Sequence, residues 1–593
     1  MVIDEQPRRL AHALDRRTVL RTGALAAGGL AAAALIGCGS DEEEAAPAGG
    51  ATSTGTAAAQ SGTPADGITV AGKFIPFNFP EPAGKTPKAG GTATFAVTWD
   101  VSTMDPSKSA AGGTVTVPNV VYNRLLGFKR GPSADPFKLE IVPELAKSWE
   151  QSPDGLTYTF KLEPNVKWQN IAPLNGRAFS AADVKFAYER YQKEGVHRPY
   201  FTNVKSIEAP DATTVKLTLN KPQPDLLIPL ASRYTTIHPK ELVDSGEIDK
   251  KAIGTGPMIL KEAASGVGAT FDKSPDYWMG KVLIDQLVCK VQTDGAAQLA
   301  AFRAKQIEFG YTVGTTVIEL EQLLKTNPDI QANTAQPVTN TFAISFNLDL
   351  PKWQDVRTRR AVSMIMDRKE IIDIALRTYG VSTPTMPWIF IFDKPPTAES
   401  GQLGKWWKTD VAEAKKLLEA AGQSNLEMPM IYYNYGDSSN KTPNEVLVNQ
   451  FQKAGVKLDA RSVDYTEFNS QWVGAKFPDV ADGWAAQGFD TDNFFYQHVR
   501  SDSPGNRWRI KDTELDAWAE QQRSEIDPQK RKEILRKMWD KTLDQAYRIE
   551  KPGAIAATVY QPWLRGVRWV GVLGANSYYY DIGAQLTNMW LDK

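Results

Sequence analysis

The sequence predicts an α/β protein with two or three subdomains. Segments 157–162 and 213–220 alternate polar and apolar residues, as half-buried strands do. Segment 179–191 instead spaces its apolar residues as one face of a helix. About 500 residues remain for folded structure after a low-complexity N-terminal region, too many for one hydrophobic core. Strands, helices and length together indicate a mixed fold with more than one core.

The first 37 residues have the pattern of an export signal. Arg16 and Arg17 precede a 15-residue run of mostly Ala and Gly, 23–37, whereas a membrane-spanning helix needs about 20 strongly apolar residues. A basic segment followed by a short apolar run is typical of a cleaved signal, and the paired Arg indicate the twin-arginine route. The alternative is a buried N-terminal helix, although core helices rarely lack polar residues on every face.

A single cysteine ends the apolar run. The sequence "LIGC", 35–38, resembles the lipobox of bacterial lipoproteins, in which the Cys is acylated and becomes the first mature residue. Cys38 is therefore expected to carry the two acyl chains that stable attachment requires. This predicts a protein anchored on the outer side of the cytoplasmic membrane, in a periplasm or at the cell surface. Residues 38–88, rich in Ala, Gly, Ser, Thr and Pro, are predicted to be a flexible tether, with folding starting near Lys88.

Charge and cysteine content restrict the function further. Loss of residues 1–37 removes five Arg and three acidic residues, which changes the net charge from −1 to −3. A balance so close to neutral offers no polybasic surface for nucleic acid. Once Cys38 is acylated only Cys289 remains, so no intramolecular disulfide can form, and Cys289 in its apolar run is expected to be a core or half-buried residue.

Local signals mark several elements along the folded part. The Pro-Asp-Gly at 153–155 predicts a turn between two strands, with Gly155 at positive φ. Ser180, followed by Asp183 three residues later, predicts a helix N-terminus with a capping box. Segment 355–377 is predicted to form two consecutive helices, the second beginning at Asp367 with Glu370 three residues on.

Motifs for catalysis are missing from the sequence. His12, His197, His238 and His498 each lack another His or Cys within four residues, and there is no H-E-x-x-H, G-x-S-x-G, Walker A or G-x-G-x-x-G motif. These observations predict a protein that is not an enzyme and needs no cofactor or metal. A dispersed pair of carboxylates, as in glycosidases, leaves a secreted hydrolase as the alternative.

Nine blocks of sequence resemble, in the same order, the family 5 extracellular solute-binding proteins. These are the dipeptide, oligopeptide and nickel type binding components of ABC importers. Three of the blocks are "GGTATFAVTWDVSTMDPSKS", "VPELAKSWEQSPDGLTYTFKLEPNVKWQN" and "LNGRAFSAADVKFAYERY". All nine lie at 90–109, 120–128, 142–170, 174–191, 253–260, 275–294, 353–372, 450–459 and 527–539. Together they span nearly everything from about residue 89 to about residue 560.

The resemblance implies a two-lobed, class II periplasmic-binding-protein-like fold. Two α/β lobes joined by a two-stranded hinge would close around a ligand, and lobe one would carry an extra subdomain. Carried onto this chain, lobe one is 89–131, 253–345 and 558–593, the extra subdomain is 132–252, and lobe two is 346–557. A signal at 1–37 and a tether at 38–88 precede them.

The resemblance also implies a function without catalysis. The protein would capture a small solute, such as a peptide or an oligosaccharide, and deliver it to permease subunits in the membrane. It is expected to act as a monomer, and nucleotide hydrolysis would belong to separate subunits. A chaperone-like binding protein on a similar scaffold is a further alternative beside the hydrolase.

One departure from the family pattern bears on the solute. Peptide-binding members have a Trp followed three residues later by an Asp that pairs with the α-ammonium group of the peptide. Here Trp484 is followed by Gln487, and a neutral amide cannot neutralise a buried ammonium. Ordinary peptides are therefore doubtful, unless Asp490 or Asp492 takes that place. Gln487 as a surface loop residue is the other interpretation.

Aromatic residues suggest a different ligand chemistry. The resemblance places Trp99, Tyr200, Trp388 and Trp484 at or near the cleft, in a chain with 16 Trp. Flat aromatic faces stack on sugar rings and enclose apolar or cationic solutes. A polar, neutral ligand such as an oligosaccharide is therefore plausible, although each ring also suits a core. Nickel is less favoured, because only His498 is near the ligand loop.

Overall fold

A computed structural model describes most of the chain after residue 66. The described residues are 67–77, 84–98, 100, 103–108, 112–131, 133–135, 137–310, 313, 316–335, 342–433, 440–484, 491–568, 583 and 585–593. Arg16, Arg17 and Cys38 lie outside them. Across these described ranges, every helix is too short or too polar to cross a membrane.

The described chain begins with a β-hairpin. Its strands, β1 (Gly67–Val70) and β2 (Lys73–Pro76), pair antiparallel through a turn at Ala71 and Gly72, both at positive φ. Ile75 and Phe77 are buried in a hydrophobic core shared with residues 317–332. The prediction of a flexible tether over residues 38–88 is therefore wrong for residues 67–77, which form a packed hairpin. A short alternating apolar pattern inside a Gly- and Pro-rich composition forms a packed hairpin.

The chain then enters the first lobe. Strand β3 (Thr92–Val97) is followed by helix α1 (Gly112–Val121) and strand β4 (Leu126–Phe128). The segment at Gly254 passes directly against the end of α1, where an added Cβ atom would lie 1.9 Å from the carbonyl oxygen of Val121. Glycine is required there because of this close approach of two backbones.

The segment predicted to be the extra subdomain, 132–252, contains a four-stranded antiparallel sheet in the order β6-β7-β9-β8. Gly155, at φ +70°, turns between β6 and β7 as predicted. The capping box at Ser180 and Asp183 is also confirmed, since the Ser180 amide donates to the Asp183 carboxylate at 2.8 Å. The elements are β5 (Ile141–Pro143), β6 (Ala146–Gln151), β7 (Thr157–Leu162), α2 (Ala181–Lys193), β8 (Val204–Asp211), β9 (Thr214–Leu219), α3 (Leu227–Ala231) and α4 (Lys240–Asp244).

The chain next completes the lobe-one sheet, which has the order β10-β11-β12-β3-β13. Strands β12 and β13 both run parallel to β3, and Cys289 of β12 is buried as predicted. The elements here are β10 (Met258–Ala264), β11 (Gly268–Lys273), β12 (Gln286–Val291), α5 (Gly295–Arg303), β13 (Phe309–Gly310), α6 (Val317–Thr326) and β14 (Gln331–Ala335).

The second lobe is built on a sheet in the order β18-β17-β19-β15-β20. The two predicted consecutive helices are α8 and α9, and the Asp367 side chain accepts from the Glu370 amide at 3.0 Å. The strands are β15 (Phe342–Phe346), β16 (Gly380–Val381), β17 (Glu427–Tyr433), β18 (Lys457–Val463), β19 (Val480–Trp484) and β20 (Arg548–Glu550). The helices are α7 (Pro351–Gln354), α8 (Val356–Ile365), α9 (Arg368–Ala375), α10 (Val411–Ala420), α11 (Lys441–Ala454), α12 (Tyr465–Val473), α13 (Thr491–Phe494), α14 (Thr513–Ser524) and α15 (Pro528–Asp544).

Two paired strands connect the two sheets. After β21 (Gly553–Ala554), strand β22 (Ala556–Tyr560) pairs antiparallel with β14, from Gln331 opposite Tyr560 to Ala335 opposite Ala556. Strand β14 leads into the second lobe and β22 leads out of it, so we call them the hinge strands. The short strands β23 (Leu564–Arg565) and β24 (Trp590–Leu591) then pair with each other.

Candidate ligand-binding site

Strand direction selects one edge of the lobe-two sheet as the candidate site. Strands β17, β18, β19 and β20 run in the same direction, because β17 is parallel to β18 and β19 while β15 is antiparallel to both β19 and β20. Their carboxyl ends therefore meet at one edge, at Tyr433, Val463, Trp484 and Glu550. The chain crosses between the lobes at the same edge. Ligands of open α/β sheets bind outside such carboxyl ends. We call this region the lobe-two edge.

A buried ion pair lies at the lobe-two edge. Lys551, just beyond β20, binds the carboxylate of Asp482 on β19, and both side chains are almost completely buried. The Lys551 ammonium also donates to Asn440 at 2.7 Å and to Asn444 at 3.1 Å, and the Asn444 amide donates to Asp482 at 3.0 Å. Burial lowers the pKa of Lys551, opposed by the neighbouring Asp482. Amide groups and opposite charge thus compensate the burial of both ions.

Strand β20 adds a second buried pair of charges. The guanidinium of Arg548 lies 3.4 Å from the Glu550 carboxylate and 4.5 Å from the centre of the Trp508 ring. Burial lowers the pKa of Arg548 to about 10 and raises the pKa of Glu550. Arg368 also approaches from α9 and donates to the Glu550 backbone carbonyl at 3.3 Å. Asp482 and Glu550 therefore each face a cation of the protein itself.

Trp388 joins the second lobe to the extra subdomain. Its ring is 1% exposed and lies 5.5 Å, centre to centre, from Phe137. Phe137 in turn contacts Phe77 of the N-terminal hairpin at 6.1 Å. The indole Nε1 of Trp388 is buried without a hydrogen-bond partner among the described residues. Trp388 thus lies where three parts of the chain meet, with its ring covered by protein.

Tyr200 belongs to a separate aromatic group. The half-buried ring follows α2, in the one-turn 3₁₀ helix Arg198–Phe201. It stacks against His197 at 6.2 Å and Tyr234 at 6.3 Å. These partners all belong to the extra subdomain, so the described contacts of Tyr200 are packing contacts within that subdomain.

Asp492, the possible substitute for a peptide-binding Asp, has partners within its own lobe. Its carboxylate accepts from the Gln522 amide at 3.1 Å and lies 3.3 Å from the Arg523 guanidinium. Burial raises the pKa of Asp492 to about 6, although Arg523 opposes the shift. The carboxylate is therefore already bound by protein side chains.

The remaining predicted site residues either lie outside the described residues or are described by their backbone alone. Trp99, Gln487 and Asp490 lie outside. For Trp484 only the backbone is described, as the last residue of β19. Their roles stay predictions. Among the described residues, no three His, Cys, Asp or Glu side chains are grouped as metal ligands would be.

Comparison with known proteins gives the family. Residues 140–506 match the model of the bacterial extracellular solute-binding proteins, family 5. The chain belongs to this family. It is therefore a solute-binding receptor of the kind that serves ABC importers.

Curated relatives and solved structures agree with this assignment. Heme-binding protein A of Haemophilus influenzae is 28% identical over 428 residues, covering 67% of this chain and 75% of the relative. Di/tripeptide-binding protein 1 of Pseudomonas aeruginosa is 26% identical over 510 residues, covering 80% and 91%. The substrate-binding protein CtaP of Listeria monocytogenes has a TM-score of 0.72 at 23% identity, covering 85% of this chain and all of that one. The two-lobed fold of family 5 is thereby confirmed.

Sequence reasoning missed the charged residues of the lobe-two edge. Asp482 and Lys551 are 69 positions apart, and neither belongs to a motif. Only "VADGW" at 480–484 places a single charge within apolar sequence, whereas three of the four residues of "RIEK" at 548–551 are charged, which gives no sign of burial. Charged residues are almost never fully buried unless they are paired, so a buried Asp482 requires a partner, but no local pattern in the sequence points to Lys551.

Proposed function

We propose that this receptor, acting as a monomer, captures a small solute without a free α-ammonium group and delivers it unchanged to an ABC importer permease. The observation that carries the proposal is the ion pair between Asp482 and Lys551 at the lobe-two edge. Asp482 lies two residues before Trp484 in the sequence. The negative charge of the Asp482 carboxylate is already neutralised by the Lys551 ammonium, so this carboxylate is a poor counter-charge for an ammonium group of the solute. Gln487, as the third residue after Trp484, adds a neutral amide in the same stretch.

The other described carboxylates near this edge support the same interpretation. Glu550 faces Arg548, and Asp492 faces Arg523 and Gln522. An ammonium group entering here would have to displace a protein cation or remain without a counter-charge. A buried charge without a partner costs several kcal/mol, which disfavours free peptides.

Uncharged polar atoms near Trp388 favour a neutral, hydroxyl-rich solute. The Ser382 hydroxyl, the Thr385 hydroxyl and the Trp388 indole nitrogen are all buried without hydrogen-bond partners among the described residues. Buried polar groups normally find partners, and sugar hydroxyls can both donate and accept. An oligosaccharide is therefore the preferred class of solute.

The relatives leave a second class open. One relative is named for heme and another for di- and tripeptides, so membership of the family is compatible with chemically different solutes. Peptides are the second candidate, favoured by Asp490, which lies in the same stretch as Gln487.

Calorimetric titration of the purified protein with three matched probes tests the proposal. The probes are maltotriose, trialanine and N-acetyltrialanine. We expect maltotriose and N-acetyltrialanine, which lack an α-ammonium group, each to bind at least as tightly as trialanine. If Gln487 stands where peptide-binding relatives have their ammonium-pairing Asp, Gln487→Asp should weaken binding of a neutral probe by about 2 kcal/mol or more, because it would then bury a carboxylate without a partner. Gln306→Asp, at an exposed position after α5, is the matched control and should leave binding unchanged.

Tight binding of trialanine that N-acetylation abolishes would contradict the proposal. It would assign the ammonium-binding role to Asp490 or another carboxylate. Conversion of a probe during the titration would instead support the hydrolase alternative.

We also propose that the twin-arginine route exports the protein and that acylation of Cys38 anchors it outside the cytoplasmic membrane. The supporting sequence is the Arg16–Arg17 pair, the short apolar run and "LIGC". Family membership supports a location outside the cytoplasm. The anchor would keep the receptor close to its permease.

Detergent phase partitioning of the full-length protein tests the anchor. Cys38→Ser should move the protein from the detergent phase to the aqueous phase, because it removes the proposed acylation site. Cys289→Ser is the matched control and should leave partitioning unchanged, since Cys289 is buried and burial raises the pKa of its thiol to about 12. Normal detergent partitioning of Cys38→Ser would contradict the anchor.

A further inference from the structure

A buried ion pair bridges the extra subdomain and the second lobe. Arg531, in the first turns of α15, donates through Nη1 to Asp225 Oδ1 at 2.6 Å and through Nη2 to Asp225 Oδ2. Asp225 lies in the one-turn 3₁₀ helix Pro224–Leu226 of the subdomain. The two side chains are only 11% and 10% exposed. A bidentate guanidinium–carboxylate pair of this kind fixes orientation as well as distance.

Arg531 is also held by its own lobe. Its Nε donates to the Gln522 backbone carbonyl at 3.0 Å, and its Nη2 donates to the Gln522 side-chain oxygen at 2.9 Å. Nη2 also lies 3.2 Å from the Thr491 hydroxyl. Gln522 and Thr491 are both fully buried. These contacts within the second lobe can orient the guanidinium before Asp225 reaches it, which lowers the entropy cost of forming the bridge.

The same contacts extend to the first two residues of α13, Thr491 and Asp492. Thr491 directly follows 485–490, the stretch that includes Gln487 and Asp490. The Gln522 amide that helps to hold Arg531 also donates to Asp492 at 3.1 Å. One guanidinium therefore contacts both Asp225 of the opposing subdomain and Thr491, the first residue of α13.

We propose that Arg531 is a positioning residue that couples contact between the extra subdomain and the second lobe to the position of α13, the helix that carries Thr491 and Asp492. This inference rests on the proposed function, in which the lobes close around a solute. Separation of the lobes breaks the bond to Asp225, whereas the contacts to Gln522 and Thr491 stay within one lobe. The bridge therefore favours the closed state only, and its loss should speed release of the solute more than it slows capture.

Release kinetics test this role. The probe is whichever of maltotriose, trialanine and N-acetyltrialanine binds the wild-type protein most tightly. We expect Arg531→Gln and Asp225→Asn each to raise the dissociation rate roughly tenfold or more, with a smaller change in the association rate. The double variant should be little worse than either single variant, because both remove the same interaction.

The matched control is a second ion pair across the same interface. Lys221 lies 3.9 Å from Glu520, but these side chains are 70% and 45% exposed. Exposed pairs contribute little, so Lys221→Ala should leave the dissociation rate within about twofold of the wild type. A general loosening of the interface would instead raise the dissociation rate for Lys221→Ala as well as for Arg531→Gln.

Hydrogen exchange of the protein without solute tests the coupling independently. Asp225→Asn, in the subdomain, should speed backbone amide exchange at 491–494 in the second lobe. Unchanged exchange there, or unchanged dissociation rates for Arg531→Gln, would overturn the inference. If none of the three probes binds the wild-type protein, the proposed solute class fails, while the exchange measurement still decides on the bridge.

Discussion

Single residues at the lobe-two edge show how the fold accommodates buried charge. Lys551 and Asp482 are excluded from water, yet each has an opposite charge and amide groups within hydrogen-bond distance. Removing one member leaves the other as a buried ion without its counter-charge, which is far more costly than removing both. The pair therefore links the residue that follows β20 to β19 across the intervening strand β15.

Lys551→Met should lower the free energy of unfolding by about 3–5 kcal/mol, because it leaves the Asp482 carboxylate without its cation. The double variant Asp482→Asn with Lys551→Met should recover most of that loss. Denaturant-induced unfolding at neutral pH measures both. Equal destabilisation of single and double variants would show that the two residues do not act as a pair.

Which residues could be predicted from the sequence depends on how far apart the partners lie. Ser180 and Asp183 are three residues apart, so a local pattern identifies their capping box. Arg531 and Asp225 are 306 positions apart, and their contact exists only after two subdomains have folded and met. The same limit applies to Trp388, whose partner Phe137 lies in another subdomain.

Among the elements, the N-terminal hairpin shows most clearly that the spacing of apolar residues can decide local structure even where the amino-acid composition is typical of a flexible tether. The Gly- and Pro-rich region around it predicts a tether, but "ITVAGKFIPF" at 68–77 places apolar residues on one face of two short strands. Packing of this face against α6 and β14 stabilises a hairpin that would be marginal alone. Helices α2, α8 and α9 were predictable because capping residues and apolar spacing agree.

Adjacent residues of β2 provide a matched test of this packing. Ile75 is 1% exposed and Phe74 is 57% exposed. Ile75→Ala should destabilise the protein by about 2–4 kcal/mol through lost burial and a cavity, whereas Phe74→Ala should have little effect. Thermal unfolding of the two variants measures the difference. Similar melting temperatures for the two variants would indicate that the hairpin does not pack as described.

At the scale of the whole molecule, two strands connect the two sheets. The pairing of β14 with β22 brings both crossings together, beside the lobe-two edge where several strands end. A short connection of this kind permits hinge motion while each sheet stays rigid. The two-lobed arrangement was predictable only through resemblance to a family, because hydrophobic periodicity indicates strands and helices without fixing how they assemble.

The most direct test of the central claim is calorimetric titration of the protein with the solute released from it. The purified protein is denatured, the released solute is identified by mass spectrometry, and the same compound is titrated into protein stripped of solute. We predict saturable binding of one molecule per chain and recovery of the compound with unchanged mass. Failure of that compound to bind again, or a changed mass after incubation, would contradict the account of a receptor that closes around its solute and releases it unchanged.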